Sequence, residues 1–402
     1  RRWCRYEPLP LMLLNTFAPP FRLVGGYFIA GLAFLFLSIF AFFAVDLDAV
    51  FAPPTAGFLH LFFVGFVISI IMGALYQLTS VILEKPFFTI KGAFVNLFIY
   101  VLSLIAFVAG LFTGKSAFMH AGGGFLFLSL LFFGITYALS FIGNKKRSFA
   151  AFALLVSAGL LIVGITLGFC LVLALTGALV WDFETLLFYH VYFVLGFVFF
   201  VAVGVASVLL PMFALVHDLK FTASKISLGF YALGGAVLVY EPKLTLFCAV
   251  VAILCFIYEA AIIIKRRVRK AFDYWNVNIV LALVSFCGFC AFAAFGQFSY
   301  GIFWLIYGFL YAFIVAHLYK IAPFLIWYHY VSPFVGKAKI PLLDDMIIKK
   351  PTYAAICANV LALVFFTFGL KFIALFCMLI SVSLVALNMA HVFKFTNFGV
   401  GK

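Results

Sequence analysis

Long apolar stretches alternate with short polar breaks along the whole chain. Turn-forming clusters such as Ala52-Pro53-Pro54 and Gly143-Asn144 separate these stretches from one another. A bilayer is crossed by about 20 consecutive apolar residues, and lipid offers the backbone no hydrogen-bond partner, so each stretch is expected to be a helix. The sequence therefore predicts an all-α polytopic membrane protein with twelve transmembrane helices, at approximately 22–45, 57–83, 89–113, 118–143, 149–172, 184–212, 224–240, 243–264, 273–297, 300–322, 352–370 and 372–392.

The composition supports this interpretation and the charges give it an orientation. Of the 402 residues, 68% are hydrophobic and only 9% are charged, whereas a soluble domain has roughly 25% charged residues. The net charge is +14, and with twelve spans every basic cluster falls on the side of the two termini. The positive-inside rule makes that side the cytoplasm. We expect a multi-pass protein of a bacterial-type inner membrane, with basic loops that contact lipid headgroups and not nucleic acid. The basic clusters are Arg1, Arg2 and Arg5; Lys145 to Arg147; Lys220 and Lys225; Lys265 to Lys270; and Lys337, Lys339, Lys349 and Lys350.

A Gly-Phe pair recurs in every fourth span. In each copy a small residue follows eight positions after the glycine, so that both lie near one face of the helix. The recurrence predicts one transmembrane domain built from three pseudo-repeated four-helix units, at approximately 20–147, 148–270 and 271–396. The three pairs are Gly65-Phe66, Gly196-Phe197 and Gly308-Phe309.

The histidines are the main candidates for chemistry. His60, His120 and His190 lie in the first two turns of spans two, four and six, near the predicted outer face, whereas His317 and His391 lie towards the cytoplasmic side. Imidazole is a common neutral metal ligand and an axial haem ligand. We therefore expect His60 and His190 to be ligands of a haem or a metal, with His120 as a third ligand. His317 and His391 are the candidates for an inner site. Each histidine alone also fits a hydrogen-bonded packing residue.

This arrangement resembles subunit I of the haem–copper oxidase superfamily, and in particular its divergent NnrS-type relatives, which are associated with nitric-oxide response. The resemblance implies a haem, taken to be b-type, with His60 as a ligand, and it matches the copper-binding position of the sixth helix to His190. It also implies electron transfer or a nitric-oxide or oxygen-related role, with respiratory-chain subunits or a periplasmic electron donor as partners. Span seven lacks a His-His pair and span ten lacks His-x-His. A three-histidine copper site is therefore not expected, and no catalytic residue is assigned.

Two other functions fit the same sequence. Twelve helices with internal repeats and spans interrupted by Gly or Pro are typical of secondary transporters. In that case His317 and Lys320, three residues apart on one helix face, would line the path. The third hypothesis is a structural subunit that packs a Phe-rich surface, drawn from 58 phenylalanines, against an electron-transfer complex. A haem spectrum, an uptake assay and co-purification of a fixed partner separate the three.

Overall fold

The structure is a computed structural model that describes residues 17–145, 147–268, 270 and 272–399. Helices account for most of these residues, and the all-α prediction is confirmed. Five residues of the basic clusters predicted to face the cytoplasm lie outside the described ranges, namely Arg1, Arg2, Arg5, Lys146 and Arg269. The helices are α1 Phe21–Phe43, α2 Pro53–Leu83, α3 Ile90–Thr113, α4 Ser116–Leu139, α5 Phe149–Leu175, α6 Phe183–Ala214, α7 Thr222–Val237, α8 Pro242–Lys265, α9 Tyr274–Ala294, α10 Phe298–Phe334, α11 Lys349–Thr367 and α12 Lys371–Lys394.

Within the described ranges, eleven of these helices are long and apolar enough to cross a membrane. The multi-pass membrane prediction is therefore confirmed. Helix α7 is the shorter one, with 16 residues. Its glycines allow a close approach to α6, since a Cβ at Gly235 would lie 2.8 Å from Cε1 of Tyr192. At the start of α7, the backbone N–H of Ser224 donates to the carboxylate of Glu259 on α8 at 2.5 Å, which satisfies a donor that the helix itself leaves open.

The helices group into two compact units. Of the described residues, those up to Val24 and those within Ile71–Gly110 and Lys115–Lys270 form unit 1. Residues within Gly25–Ile70 and Leu111–Gly114, and those from 272 onward, form unit 2. The predicted division into three repeats stays a prediction.

Unit 1 is held together around α5 to α8 by apolar packing and by hydroxyl groups that bind backbone carbonyls. Phe200 and Tyr231 belong to its buried core. The hydroxyl of Ser227 on α7 donates to the carbonyl of Ala252 on α8 at 2.6 Å. Similarly, the Tyr231 hydroxyl donates to the carbonyl of Tyr192 at 2.8 Å. These bonds join neighbouring helices and leave the hydroxyls satisfied, as an apolar surrounding requires.

Polar side chains also cap the starts of two helices in unit 1. Ser148 accepts from the N–H of Ala151 at 3.1 Å at the start of α5, and Asp182 accepts from the N–H of Thr185 at 3.1 Å at the start of α6. The hydrogen bonds from Thr185 lower the pKa of Asp182 below its ordinary value. Both residues are typical N-caps, so the helix starts follow from the local sequence.

Unit 2 contains an aromatic cluster where α1, α2, α10 and α11 meet. The ring of Phe42 lies 4.9 Å from that of Phe58 and 6.0 Å from that of Tyr307. The rings of Phe303 and Phe366 stack with their centroids 3.8 Å apart. We call these five residues the aromatic cluster. Its rings are buried and close-packed, in edge-to-face and stacked arrangements that add to the energy of apolar burial.

Two helices of unit 2 are interrupted by π-helical turns. In α2 the turns span Leu61–Ile68, and in α10 they span Trp304–Leu310 and Trp327–Val331. The Gly-Phe pairs of spans two and ten both lie in these segments, whereas the pair in span six lies in regular α-helix. Both glycines mark close helix contacts: a Cβ at Gly65 would lie 2.5 Å from Cβ of Phe34, and one at Gly308 would lie 2.5 Å from Cβ of Ser285.

Candidate functional site

The two histidines predicted as paired ligands lie in different units. His60, in unit 2, is half-buried at the end of the first α-helical segment of α2, and its Nδ1 donates to the carbonyl of Ala56 at 2.7 Å. His190, in unit 1, lies in the second turn of α6, and its Nδ1 donates to the carbonyl of Gly164 on α5 at 2.8 Å. A carbonyl oxygen only accepts, so both rings carry their proton on Nδ1. The predicted shared site stays a prediction.

The other candidate histidines are also distributed over several elements. His120 is half-buried in the second turn of α4. His391 is half-buried near the end of α12 and packs edge-on against Phe395, with ring centroids 5.5 Å apart. Within the described part of the chain, no group of three His, Cys, Asp or Glu side chains could hold a metal ion.

His317 lies within the bundle of unit 2, on α10. Its Nδ1 donates to the carbonyl of Phe313 one turn earlier at 2.7 Å. The imidazole packs on the rings of Phe313 and of Trp275 on α9, at centroid distances of 4.4 and 6.1 Å. Lys320 follows three residues later on the same helix, so that His317 comes one turn before a charged group.

Around Lys320, three helices bring opposite charges together. Asp273 caps the start of α9 and accepts from Nζ of Lys320 at 2.7 Å. Asp344, in a short 3-10 helix before α11, accepts from the hydroxyl of Tyr274 at 3.1 Å and from Nζ of Lys349 at 2.8 Å. Nζ of Lys320 also lies 5.0 Å from the centre of the Tyr274 ring. We call these five residues the charged cluster.

The charged cluster fixes the ionisation of Asp344. Partial burial on its own would raise the pKa of this carboxyl group. Hydrogen bonds from Lys349 and Tyr274, together with the positive charges of Lys349 and Lys320, lower the pKa by more than burial raises it. The net result is a pKa below the ordinary value. At neutral pH the carboxyl group of Asp344 is therefore ionised and pairs with Lys349.

From the charged cluster a column of buried side chains runs along α10. Tyr319, Tyr311 and Tyr307 recur at intervals of four or eight residues, with Val315 between them and Phe303 at the far end. Residues at this spacing lie on one helix face. The Tyr319 ring meets that of Tyr274 edge-on, with centroids 5.7 Å apart. We call the five α10 residues the tyrosine column.

Beside the column, α9, α11 and α12 contribute neutral polar side chains. The hydroxyls of Tyr311 and Ser381 are 2.9 Å apart, and Ser381 in turn donates to the carbonyl of Ala355 at 2.7 Å. A narrow gap between the helices here is too small to hold a water molecule in this arrangement. We call this space the polar cleft; the polar side chains along it are those of Asn278, Tyr311, Tyr319, Thr352, Asn359 and Ser381.

Asn359 is the unusual member of the polar cleft. It is 1% exposed, and neither its Oδ1 nor its Nδ2 has a hydrogen-bond partner among the described residues. The Oγ of Ser285, buried on α9, also lacks one in the same part of the chain. Nearly all buried polar groups in proteins are paired, because an unpaired one costs about 1–3 kcal/mol. Other buried side-chain atoms of the described residues are unpaired as well, among them Nδ2 of Asn96 in unit 1 and Nε1 of Trp275, but Asn359 is the one such side chain with both polar atoms unpaired.

A cavity lies at the start of α10, beyond the aromatic cluster. It has a volume of about 380 Å³ and is formed by the α1–α2 connection and by the starts of α10 and α12. Asp46 and Asp48 contribute carboxylates to it and Lys371 an ammonium group, next to Tyr300. We call it the end cavity. From Tyr300 to Lys320 is 20 residues of α10, or about 30 Å at 1.5 Å per residue, so the end cavity and the charged cluster are widely separated along that helix.

Of this arrangement, His317 and Lys320 are recognisable as candidates from the sequence, whereas the residues that face them are not. Asp273, Asn278 and Asn359 are rare polar residues at the edge of or inside apolar spans, which is the feature that could have drawn attention to them. The acidic residues Asp46 and Asp48 stand out in a basic chain in the same way.

Comparison with known proteins adds no assignment. The chain matches no protein-family model, and no curated protein or solved structure is significantly similar to it.

Proposed function

We propose that the protein is a proton-coupled secondary transporter whose translocation path runs through unit 2. The path follows the tyrosine column from the end cavity to the charged cluster. The observation that carries the proposal is Asn359, a fully buried amide that lines the polar cleft with both polar atoms unpaired.

The energetic argument is that such a residue is costly unless it has a second role. A leucine at position 359 would remove the desolvation cost without losing a hydrogen bond. Polar groups inside membrane helices usually face a pathway or a cavity that water or a solute enters. We infer that Asn359 and Ser285 gain their partners in a second arrangement of the bundle, in which the polar cleft is open.

The helices around the path have the interruptions that a second arrangement requires. α10 contains two π-helical turns and Pro323, and α2 contains one π-helical segment. π-Helical turns are frequent at functional sites, and broken helices are typical of transporters. In the present arrangement Phe303, at the end of the tyrosine column, stacks on Phe366, which lines the end cavity. We therefore assign it to a closed state.

The charged cluster supplies the group that a proton would bind. Protonation of Asp273 would neutralise the carboxylate that holds Nζ of Lys320 and release the link between α9 and α10. The positive-inside rule places the charged cluster near the cytoplasm of a bacterial-type inner membrane and the end cavity on the opposite side. Proton binding on one side and solute entry on the other are then separated by about 30 Å along α10.

The test is proton flux into liposomes that contain the purified protein. Vesicles are loaded with a pH-sensitive dye, and a potassium gradient with valinomycin sets the membrane potential. We expect flux above that of protein-free vesicles, and a loss of most of it in Asn359→Leu. The matched control is Asn96→Leu, since Asn96 is a buried amide of unit 1 that accepts from Ser129 at 2.8 Å. Wild-type vesicles that move no more protons than empty ones would contradict the proposal.

A haem protein is the second candidate, favoured by the histidine tautomers. The protons on Nδ1 of His60, His190 and His317 place the ring lone pair on Nε2, and a backbone carbonyl on Nδ1 is the arrangement typical of ligating histidines. A b-type haem would take one of these histidines within its own unit as an axial ligand. Electron transfer, with a respiratory-chain subunit or a periplasmic donor as partner, would follow from it.

An absorption spectrum and a pyridine-haemochrome assay of the purified protein decide this candidate. Haem content should fall in His60→Ala or His190→Ala and stay unchanged in His217→Ala, whose side chain is exposed outside the long helices. A preparation without a Soret band rules it out and leaves the transporter proposal intact.

A further inference from the structure

The end cavity in unit 2 combines opposite charges that do not neutralise each other. Lys371, at the start of α12, is half-buried, and its Nζ donates to the carbonyl of Val45 at 2.6 Å. The same Nζ lies 5.0 Å from the centre of the Phe42 ring. No described carboxylate is within the 4 Å of an ion pair with it. An ammonium group has three donors, so the lysine retains capacity for an anion that enters the cavity.

The opposite charge lies on the exposed α1–α2 connection. Asp46 and Asp48 both line the cavity and are exposed. The carboxylate of Asp46 accepts from the N–H of Asp48 at 3.0 Å, and the carboxylate of Asp48 accepts from the hydroxyl of Ser299. Carboxylates remain strong acceptors after one such bond, because each has about four lone-pair sites. The ring of Tyr300 next to them offers a face to a cation.

The floor of the cavity is apolar. Phe42 and Phe366 line it, and both belong to the aromatic cluster. With about 380 Å³, the cavity is at the small end of the range for ligand sites, roughly 300–1,000 Å³. A fitting ligand is therefore small, with an anionic group, a cationic group and an apolar part.

We propose that the end cavity binds an amino-acid-sized zwitterion, with its carboxylate on Lys371 and its ammonium group on Asp46 and Asp48. A ligand with only one charge would leave either the lysine or the two carboxylates without a counter-charge. That this zwitterion is the transported solute rests on the proposed function, whereas binding itself does not.

The experiment is a binding measurement on the full chain in detergent. The probes are the twenty L-amino acids, measured by thermal shift and then by calorimetry. For each one that binds, its amide removes the carboxylate and its N-acetyl derivative removes the ammonium group. We expect at least one amino acid to bind, and both derivatives to bind at least about tenfold more weakly, as the loss of a charge-assisted contact implies.

Variants assign the binding to the cavity. Lys371→Gln should weaken binding of the zwitterion by about tenfold or more and leave binding of the amide unaffected. The control Lys115→Gln, at an exposed position in unit 1, should change neither affinity. The double variant Asp46→Asn with Asp48→Asn changes exposed side chains only, and it should weaken binding of the zwitterion and binding of the amide to the same degree. It gives an independent answer if Lys371→Gln does not fold.

The outcomes separate this inference from the transporter proposal. Three results would overturn the zwitterion site: no amino acid binds, the amide binds as tightly as the amino acid, or binding is unchanged by substitution of Lys371, Asp46 and Asp48. Binding that depends on Lys371 in a protein that moves no protons would uphold the site and contradict transport. Proton flux without amino-acid binding would do the reverse.

Discussion

Individual buried polar side chains of units 1 and 2 differ in how fully they are paired. In unit 1 the hydroxyls of Ser227 and Tyr231 each bind a backbone carbonyl of a neighbouring helix. In unit 2 the amide of Asn359 is as deeply buried, but no described residue forms a hydrogen bond with it. A satisfied hydroxyl joins two helices and needs no further explanation, whereas an unsatisfied amide costs stability. The comparison distinguishes polar groups that join neighbouring helices from the amide of Asn359, for which we propose a ligand in a second arrangement.

A second amide sharpens the comparison within unit 2. Asn388, on α12, is 0% exposed, as Asn359 is 1% exposed. Its Oδ1 accepts from the N–H of Ile348 at 2.9 Å, and its Nδ2 donates to the carbonyl of Ile348 and to Oγ1 of Thr352, at 3.2 and 2.9 Å. Asn388 therefore ties α12 to the start of α11. The two asparagines have the same chemistry and burial but differ in every partner.

Asn388→Leu should give the largest loss of stability. It removes three hydrogen bonds and leaves the N–H of Ile348 without its acceptor, so we expect a decrease of about 3 kcal/mol in the free energy of unfolding. Denaturant titration in mixed micelles measures it, with Asn388→Asp as the variant that keeps the acceptor. A leucine variant as stable as the wild type would mean that these bonds are not maintained.

Acidification should weaken the charged cluster next. The pKa of Asp344 is lowered in the folded protein, so its stabilisation is present above the ordinary aspartate value of about 3.9 and is lost as the pH falls through the lower folded-state value. We expect Asp344→Asn to remove up to about 1 kcal/mol at neutral pH, since the group is partly exposed. The difference from the wild type should shrink and then vanish as the pH falls below the ordinary aspartate value. If the difference in stability between Asp344→Asn and the wild type persisted at low pH, it would come from side-chain packing and not from the charge of Asp344.

The helices could be predicted from the sequence, whereas the candidate site could not. Every span is marked by its own run of apolar residues, because a membrane selects for local hydrophobicity and length. The short α7 depends instead on Glu259 of α8 at its start. Pairing is a property of helix packing: Asn359 and Asn388 each stand as one amide in an apolar run. The Nδ1 atoms of His60 and His190 bind backbone carbonyls. Every residue has a carbonyl, so these hydrogen bonds cannot be predicted from a sequence motif.

Ser227→Ala tests the unit 1 side of the comparison with a moderate effect. The hydroxyl donates to the carbonyl of Ala252 at 2.6 Å, and the change removes that bond with almost no change in volume. We expect a loss of about 1 kcal/mol in the free energy of unfolding and no change in proton flux. If flux fell with this substitution, the polar groups of unit 1 would also belong to the path, and the division of roles between the units would be wrong.

Asn359→Leu should have the smallest effect on stability, and it is the most informative change. No hydrogen bond is lost and a buried amide is replaced by an apolar side chain of similar size, so we expect the free energy of unfolding to stay within about 1 kcal/mol of the wild type or to rise. A fall of the size expected for Asn388→Leu would show that Asn359 has a structural partner in the folded protein. In that case the polar cleft would be ordinary packing, and units 1 and 2 would not differ. Unchanged stability together with lost flux has no such explanation, because a substitution that costs the fold nothing can only have removed something that the closed state does not use.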